Sequence, residues 1–299
     1  MMSNQIESVY RYDKLEYFLD ILKAGNFRMY NALNQYDEDE LYFSGKTIQE
    51  ILRNIIDNYK IGDKNILDGY KFLWSAIEKV TNRKFDKKLL ALELTGVLSA
   101  QKLISFILDY NPKSYIFCTS ADLYSKRMWT KYADYNCGIV IELSPVDVEN
   151  NQVENKFELD SEVIKYPFSF QIENAINIII KEYLEGNEQL EEEEQIKKFI
   201  KSYHDFLILC ISVKKQKFDF EKEIRFSYFD SSSSMEAIQD GDREYIPLPI
   251  TNENLIKSIK SIYVIKNYYN KPKMKEIRDI IKENYKHIKI KELKLNDLK

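Results

Sequence analysis

The stretch from Phe218 to Tyr228 constrains this chain most. In a strand, successive side chains point to opposite faces. Read that way, Glu221, Glu223, Arg225 and Ser227 share one side, and Phe220, Ile224, Phe226 and Tyr228 share the other. The aromatic side demands a core to cover it. The opposite side gathers two carboxylates and a guanidinium, a selection that marks a candidate site because a merely solvated face could use any polar residues.

The 299 residues are 44% hydrophobic, enough to bury a substantial core, and one domain over 1–299 is the expected organisation. The net charge of -4 supplies no global positive field for nucleic acid, which leaves only a local basic patch as a route to it. Cys118, Cys137 and Cys210 are odd in number and widely spaced, so neither a disulfide framework nor a zinc spacing is visible. With His204 and His287 the only histidines, His-based catalysis has little material, and no metal site is expected. No apolar run approaches bilayer length and the first residues lack a basic and apolar succession. These features predict a soluble cytoplasmic protein with no membrane association.

Along the chain, Val9 to Tyr12 is a short strand candidate. Leu15, Phe18, Leu19 and Leu22 follow at helical spacing and stop at Gly25, and Phe27 to Met29 forms a second strand. Helical patterns dominate 47–110 and 170–210, which are expected as insertions. Tyr115 to Ser120, Gly138 to Leu143, Val163 to Tyr166, Arg243 to Pro247, Ile259 to Ile265 and Ile288 to Leu293 read as strands. Ser125 to Asp134 and Met274 to Tyr285 read as helices. The fold class expected is α+β, a mixed sheet of short strands contributed from the whole chain.

Several of these segments resemble the bacterial family catalogued as domain of unknown function 2971. The residues that carry the resemblance are Tyr10-Arg11-Tyr12, Phe27-Arg28-Met29 with its Asn31 to Glu40 loop, Met128-Trp129-x-x-Tyr132-Ala133-Asp134 before Gly138, and Phe220-Glu221-x-Glu223-x-Arg225. Two departures stand out: Asn34-Gln35-Tyr36-Asp37 lacks the proline usual in the family's loop, and Phe220 stands where a tyrosine or tryptophan is common.

Arg11 on an early strand, Cys118-Thr119-Ser120 on a middle one and Glu221-x-Glu223 on a late one are also similar to the arginine, serine and glutamate order of ADP-ribosyltransferases. That resemblance implies NAD as a substrate, with Arg11 holding its phosphates or ribose, a hydroxyl of Thr119 or Ser120 positioning the glutamate, and Glu223 contacting the nicotinamide ribose. Breaking the glycosidic bond builds positive charge on the ribose, which a fixed carboxylate stabilises. An arginine grips a pyrophosphate bidentately, as lysine does not. Glu221 would orient or deprotonate the acceptor, while Trp129 or Tyr132 would stack on a ring of the ligand. Tyr12, beside Arg11, joins the expected cofactor-binding set.

Each feature also has a structural explanation. Glu223 and Arg225 pair well as a strand face, and Trp129 and Tyr132 at i and i+3 suit a core. The long separation of Ser120 from Glu223 requires the helices from Phe170 to Cys210 to be an insertion. The leading expectation is an ADP-ribosyltransferase-like effector, a toxin or antiphage defence protein acting on a protein or nucleic acid and associated with a partner protein. One alternative is a metal-dependent nuclease or phosphodiesterase built on Asp37, Asp39, Glu221 and Glu223. Another is a non-enzymatic binding or regulatory module, in which 22 tyrosines and 16 phenylalanines serve packing and partner surfaces.

Overall fold

The computed structural model describes residues 6–32, 113–149, 160–164, 211–230, 236–249, 258–269 and 271–299, with isolated positions between 174 and 209. The insertion expected at 47–110 lies outside these residues, as does almost all of that at 170–210 and the loop beyond residue 32. The described strands form a ten-stranded sheet: β1 (Val9–Asp13), β2 (Asn26–Asn31), β3 (Lys113–Ser120), β4 (Ile139–Leu143), β5 (Asp160–Val163), β6 (Glu223–Asp230), β7 (Ile238–Asp240), β8 (Arg243–Pro249), β9 (Ile259–Ile265) and β10 (Lys289–Leu293). With the helices α1 (Leu15–Ala24), α2 (Lys126–Tyr132), α3 (Pro145–Glu149) and α4 (Pro272–Asn284), this is an α+β fold. No described helix is long and apolar enough to cross a membrane.

The sheet branches at β3. One edge of β3 pairs antiparallel with β6 along its length, from Lys113↔Asp230 to Ser120↔Glu223. The other edge is shared: β2 takes its first half through Tyr30↔Ile116, and β1 takes its end through Tyr10↔Ser120. From β1 the sheet runs on through β4 and β9 to β10, and from β2 through β8 to β7. Strands β9 and β10 pair in parallel, and α4 is the crossover between them.

This register sorts the side chains into two faces. Val9, Phe27, Met29, Phe117, Ile141, Ile224 and Phe226 form an apolar face, covered by Leu15, Phe18 and Leu22 of α1 and by Met274, Ile277 and Ile281 of α4. Fully burying each such side chain stabilises the fold by roughly 1.5–3 kcal/mol. The helices follow the sequence signals closely. Gly25 takes a left-handed φ of 70° and its N–H closes α1 on the Ile21 carbonyl at 2.9 Å, while Pro272 starts α4. The opposite face carries a smaller cluster of Tyr12, Met128, Trp129, Val140, Tyr263 and Ile265 beside a buried polar region.

Two strand expectations need correction. The strand expected at Val163 to Tyr166 is β5, which ends at Val163 where it pairs with Ile224. The strand expected from Phe218 starts only at Glu223, because Gln216–Glu221 is a 3-10 turn and Lys222 is left-handed with φ 42°.

Candidate functional site

The buried polar region sits where β3 meets β6. Cross-strand pairing puts Ser120 opposite Glu223 and Cys118 opposite Arg225, all on the face turned away from α1 and α4. The left-handed residue Lys222 reverses the chain just before β6 and returns Glu221 to the same place. Ser120 fastens this reversal: its hydroxyl donates to the Glu221 carbonyl at 2.6 Å and accepts the Asp122 N–H at 3.1 Å. The Ala121 N–H donates to the Lys222 carbonyl at 2.9 Å. Glu221 and Glu223 therefore converge through a turn, not through strand alternation.

Both carboxylates are buried, and both are held by cations. Arg225 donates to Glu223 through Nε at 2.6 Å and Nη2 at 3.3 Å, and sends Nη1 to the Ile211 carbonyl. Lys214 bridges the two acids, with Nζ 2.8 Å from Glu223 Oε2 and 2.6 Å from Glu221 Oε2. Burial alone would raise the Glu223 carboxyl, but the Arg225 and Lys214 charges outweigh it and hold the group down at about 2. Burial, and then the Glu223 charge, push the facing Cys118 thiol well above its ordinary range. The thiol is consequently a poor nucleophile there.

Helix α2 closes the other side of Glu221. Ser125 caps it by accepting the Met128 N–H, and Met128 and Trp129 face inward. Lys131 and Tyr132 then reach Glu221 Oε1, Lys131 Nζ at 3.0 Å and the Tyr132 hydroxyl at 2.5 Å. Burial first and the Glu221 charge second keep Tyr132 protonated, so it is a donor. Lys131, with 42% of its side chain exposed, is the member of the network that meets solvent. After α2, Asp134, Tyr135 and Asn136 adopt φ of 47°, 53° and 71°, an uncommon left-handed run for residues other than glycine. Gly138 ends it where a Cβ would lie 2.3 Å from the Asp13 carbonyl oxygen, so only glycine lets this turn meet β1.

The structure brings Ser120, Glu221, Glu223, Trp129, Tyr132 and Tyr12 to one face and leaves Arg11 and Thr119 on the other. Because Tyr10 pairs with Ser120, Arg11 points to the apolar face. There its guanidinium lies 4.6 Å over the Phe117 ring and its Nε lies 3.3 Å from Asp13. Thr119 likewise faces away, donating to the Ile224 carbonyl at 2.9 Å. The expected convergence of Arg11 with Ser120 and Glu223 in one cleft is therefore corrected.

Trp129 is fully buried, edge-on to Tyr12 at 5.8 Å, with its indole N–H donating to the Leu123 carbonyl. Tyr12 is buried too, its hydroxyl donating to the Asp122 carbonyl. These two rings build the wall and do not present a stacking surface. Phe220 belongs on the site face as well, under Arg127, and not in the core beneath β6.

Sequence reasoning missed Lys214 and Lys131. The available signal was a lysine at the end of the apolar Phe206 to Val213 run, seven positions before Glu221. A second carboxylate centre lies farther along the same face, where Glu142 accepts from Ser8 at 2.9 Å and from Tyr263 at 2.9 Å, with Lys291 at 3.4 Å. Among the described residues, no group of three or more His, Cys, Asp or Glu could hold a metal ion; Asp37 and Asp39 lie outside them.

No curated protein and no solved structure matches the chain. Over residues 128–226, from Met128 in α2 to Phe226 in β6 and thus across Lys131, Tyr132, Lys214 and both glutamates, the chain is similar to a family described as Protein of unknown function (DUF2971).

Proposed function

We propose that this chain binds a nucleotide on the Lys131 side of the Glu221 centre and transfers a glycosyl group from NAD, with Glu221 as the carboxylate that meets the ribose. One observation carries the reading: Ser120, Glu221 and Glu223 converge on one sheet face beside a partly exposed cation. Glu223, loaded by Arg225 and Lys214, fixes the position of Lys214 and through it Glu221. Arg11, on the other face, cannot fill the phosphate-holding role expected of it. As the ribose C1′ to nicotinamide bond breaks, the electron pair leaves with nicotinamide and the Glu221 charge stabilises the cationic sugar. An acceptor hydroxyl oxygen then bonds to C1′ and passes its proton to solvent water. A toxin or antiphage role follows as the proposed biological setting.

The test is nicotinamide release and NAD binding by calorimetry. Glu221→Gln should abolish release, by at least about a hundredfold, while Arg11→Ala leaves it within a few fold. Absence of NAD binding at millimolar ligand would sink the proposal.

A second reading, a non-enzymatic binding or regulatory module, is favoured by the same network's saturation. Glu223 accepts three donor contacts and Glu221 another three, the arrangement of a strut that ties residues 211–221 to α2 and β6. Cellular activity that survives Glu221→Gln would favour it.

A further inference from the structure

Outside the buried network, α2 and the 3-10 turn share a surface built from cations and rings. Arg127 and Lys131, four positions apart and hence on one face of α2, flank Phe220: the Arg127 guanidinium lies 3.8 Å over the ring and Lys131 Nζ 5.6 Å from it. Lys131 also lies 4.6 Å from the Phe218 ring, and Lys217 covers that ring at 4.7 Å. The order along the surface is therefore Arg127, Phe220, Lys131, Phe218, Lys217. Arg127, Lys131 and Lys217 are exposed, and both phenylalanines are half-buried. Lys222 extends the strip, paired with Asp122 at 2.9 Å; Asp219 is the exposed acid on the turn. Of the three ladder cations, only Lys131 reaches a carboxylate among the described residues, and it shares that carboxylate, Glu221, with Lys214. In a chain of net charge -4, this is a local positive surface.

We infer that this ladder binds a single-stranded nucleic acid. Cations alternating with aromatic rings meet both parts of a strand: the phosphates pair with lysine and arginine, and the bases stack on ring and guanidinium planes. An acidic peptide would use the cations and leave the rings without a role, and a duplex hides its base faces. The inference deepens the proposed function, since a strand on this ladder runs past Glu221 and supplies sugar or base groups as the glycosyl acceptor.

The test is fluorescence anisotropy of labelled single-stranded DNA and RNA oligonucleotides with the full chain, in the absence of NAD and across a salt series. Binding should weaken with salt with a log-log slope of about -2, as for roughly three phosphate contacts on a single strand. The double variant Arg127→Glu, Lys217→Glu should lose at least about tenfold in affinity and flatten the slope by about 1.4. Lys275→Glu on the exposed side of α4 should change neither. No binding at about 50 mM salt, equal binding to a duplex, or affinity indifferent to the double variant would each overturn the inference. Oligonucleotide binding with no nicotinamide release would remove the NAD reading alone; nicotinamide release with no oligonucleotide binding would remove only this one.

Discussion

Two arginine–carboxylate pairs with the same i, i+2 spacing occupy opposite faces of the sheet, and they are not equivalent. On β6, Arg225 meets Glu223; on β1, Arg11 meets Asp13. Both acids are buried, yet Glu223 is held well below its ordinary range while burial raises Asp13 despite Arg11. The difference lies in the number and reach of the donors. Glu223 has Arg225 at 2.6 Å and Lys214 at 2.8 Å; Asp13 has one guanidinium contact at 3.3 Å and the Lys14 N–H at 3.1 Å. Desolvation is repaid on β6 and only partly offset on β1. Identical spacing in sequence therefore produced a fixed anion in one place and a strained one in the other.

The largest expected effect tests the pairs directly. Arg225→Met leaves Glu223 with Lys214 as its one cation among the described residues and removes the Arg225 donor from the Ile211 carbonyl. Breaking a buried pair in this way costs about 3–5 kcal/mol. Arg11→Met, which removes a partly exposed guanidinium with a single 3.3 Å contact to Asp13, should cost about 1 kcal/mol. Denaturant midpoints at neutral pH measure both, and equal losses would break the contrast.

Acid titration gives the next effect, with a sign for each acid. Glu223 has its folded value depressed from 4.5 to about 2. Its contribution is thus present above about pH 4.5 and is lost as pH falls toward 2, a loss of roughly 3 kcal/mol. Glu223→Gln should be less stable than the natural chain at neutral pH, and the gap should close across that window. A gap that persists undiminished at pH 2 would show that Glu223's value to the fold does not come from its charge.

Why the sequence shows some of this and hides the rest follows from the same residues. Alternation correctly separates Glu223, Arg225 and Ser227 from Ile224, Phe226 and Tyr228, since period two is a local property of a strand. The face that Arg11 takes is not local. It depends on Tyr10, and not Arg11, standing opposite Ser120, and a one-residue slip would exchange every side chain between faces. Tyr10-Arg11-Tyr12-Asp13 carries polar groups at each position, so its pattern does not select a register. Lys214 and Glu221 reach the site through irregular backbone, a 3-10 turn ended by the left-handed Lys222, where no periodicity exists to reveal which side chains meet.

The smallest effect carries the opposite sign and completes the contrast. An acid whose folded value is raised binds its proton more tightly in the folded than in the unfolded chain. Stability therefore falls as pH rises from the unfolded value through the folded one, and below the unfolded value the penalty vanishes. Asp13→Asn keeps an oxygen for the Lys14 N–H and removes the buried charge. The variant should unfold at a slightly higher temperature than the natural chain at neutral pH, and the two should converge as the solution is acidified past the ordinary aspartate range. Thermal unfolding at several pH values reads this out. Were Asp13→Asn instead to destabilise the chain at neutral pH as Glu223→Gln does, Arg11 would be repaying the burial of Asp13 in full. The two faces would then hold their acids by the same means, and donor number would not be what separates them.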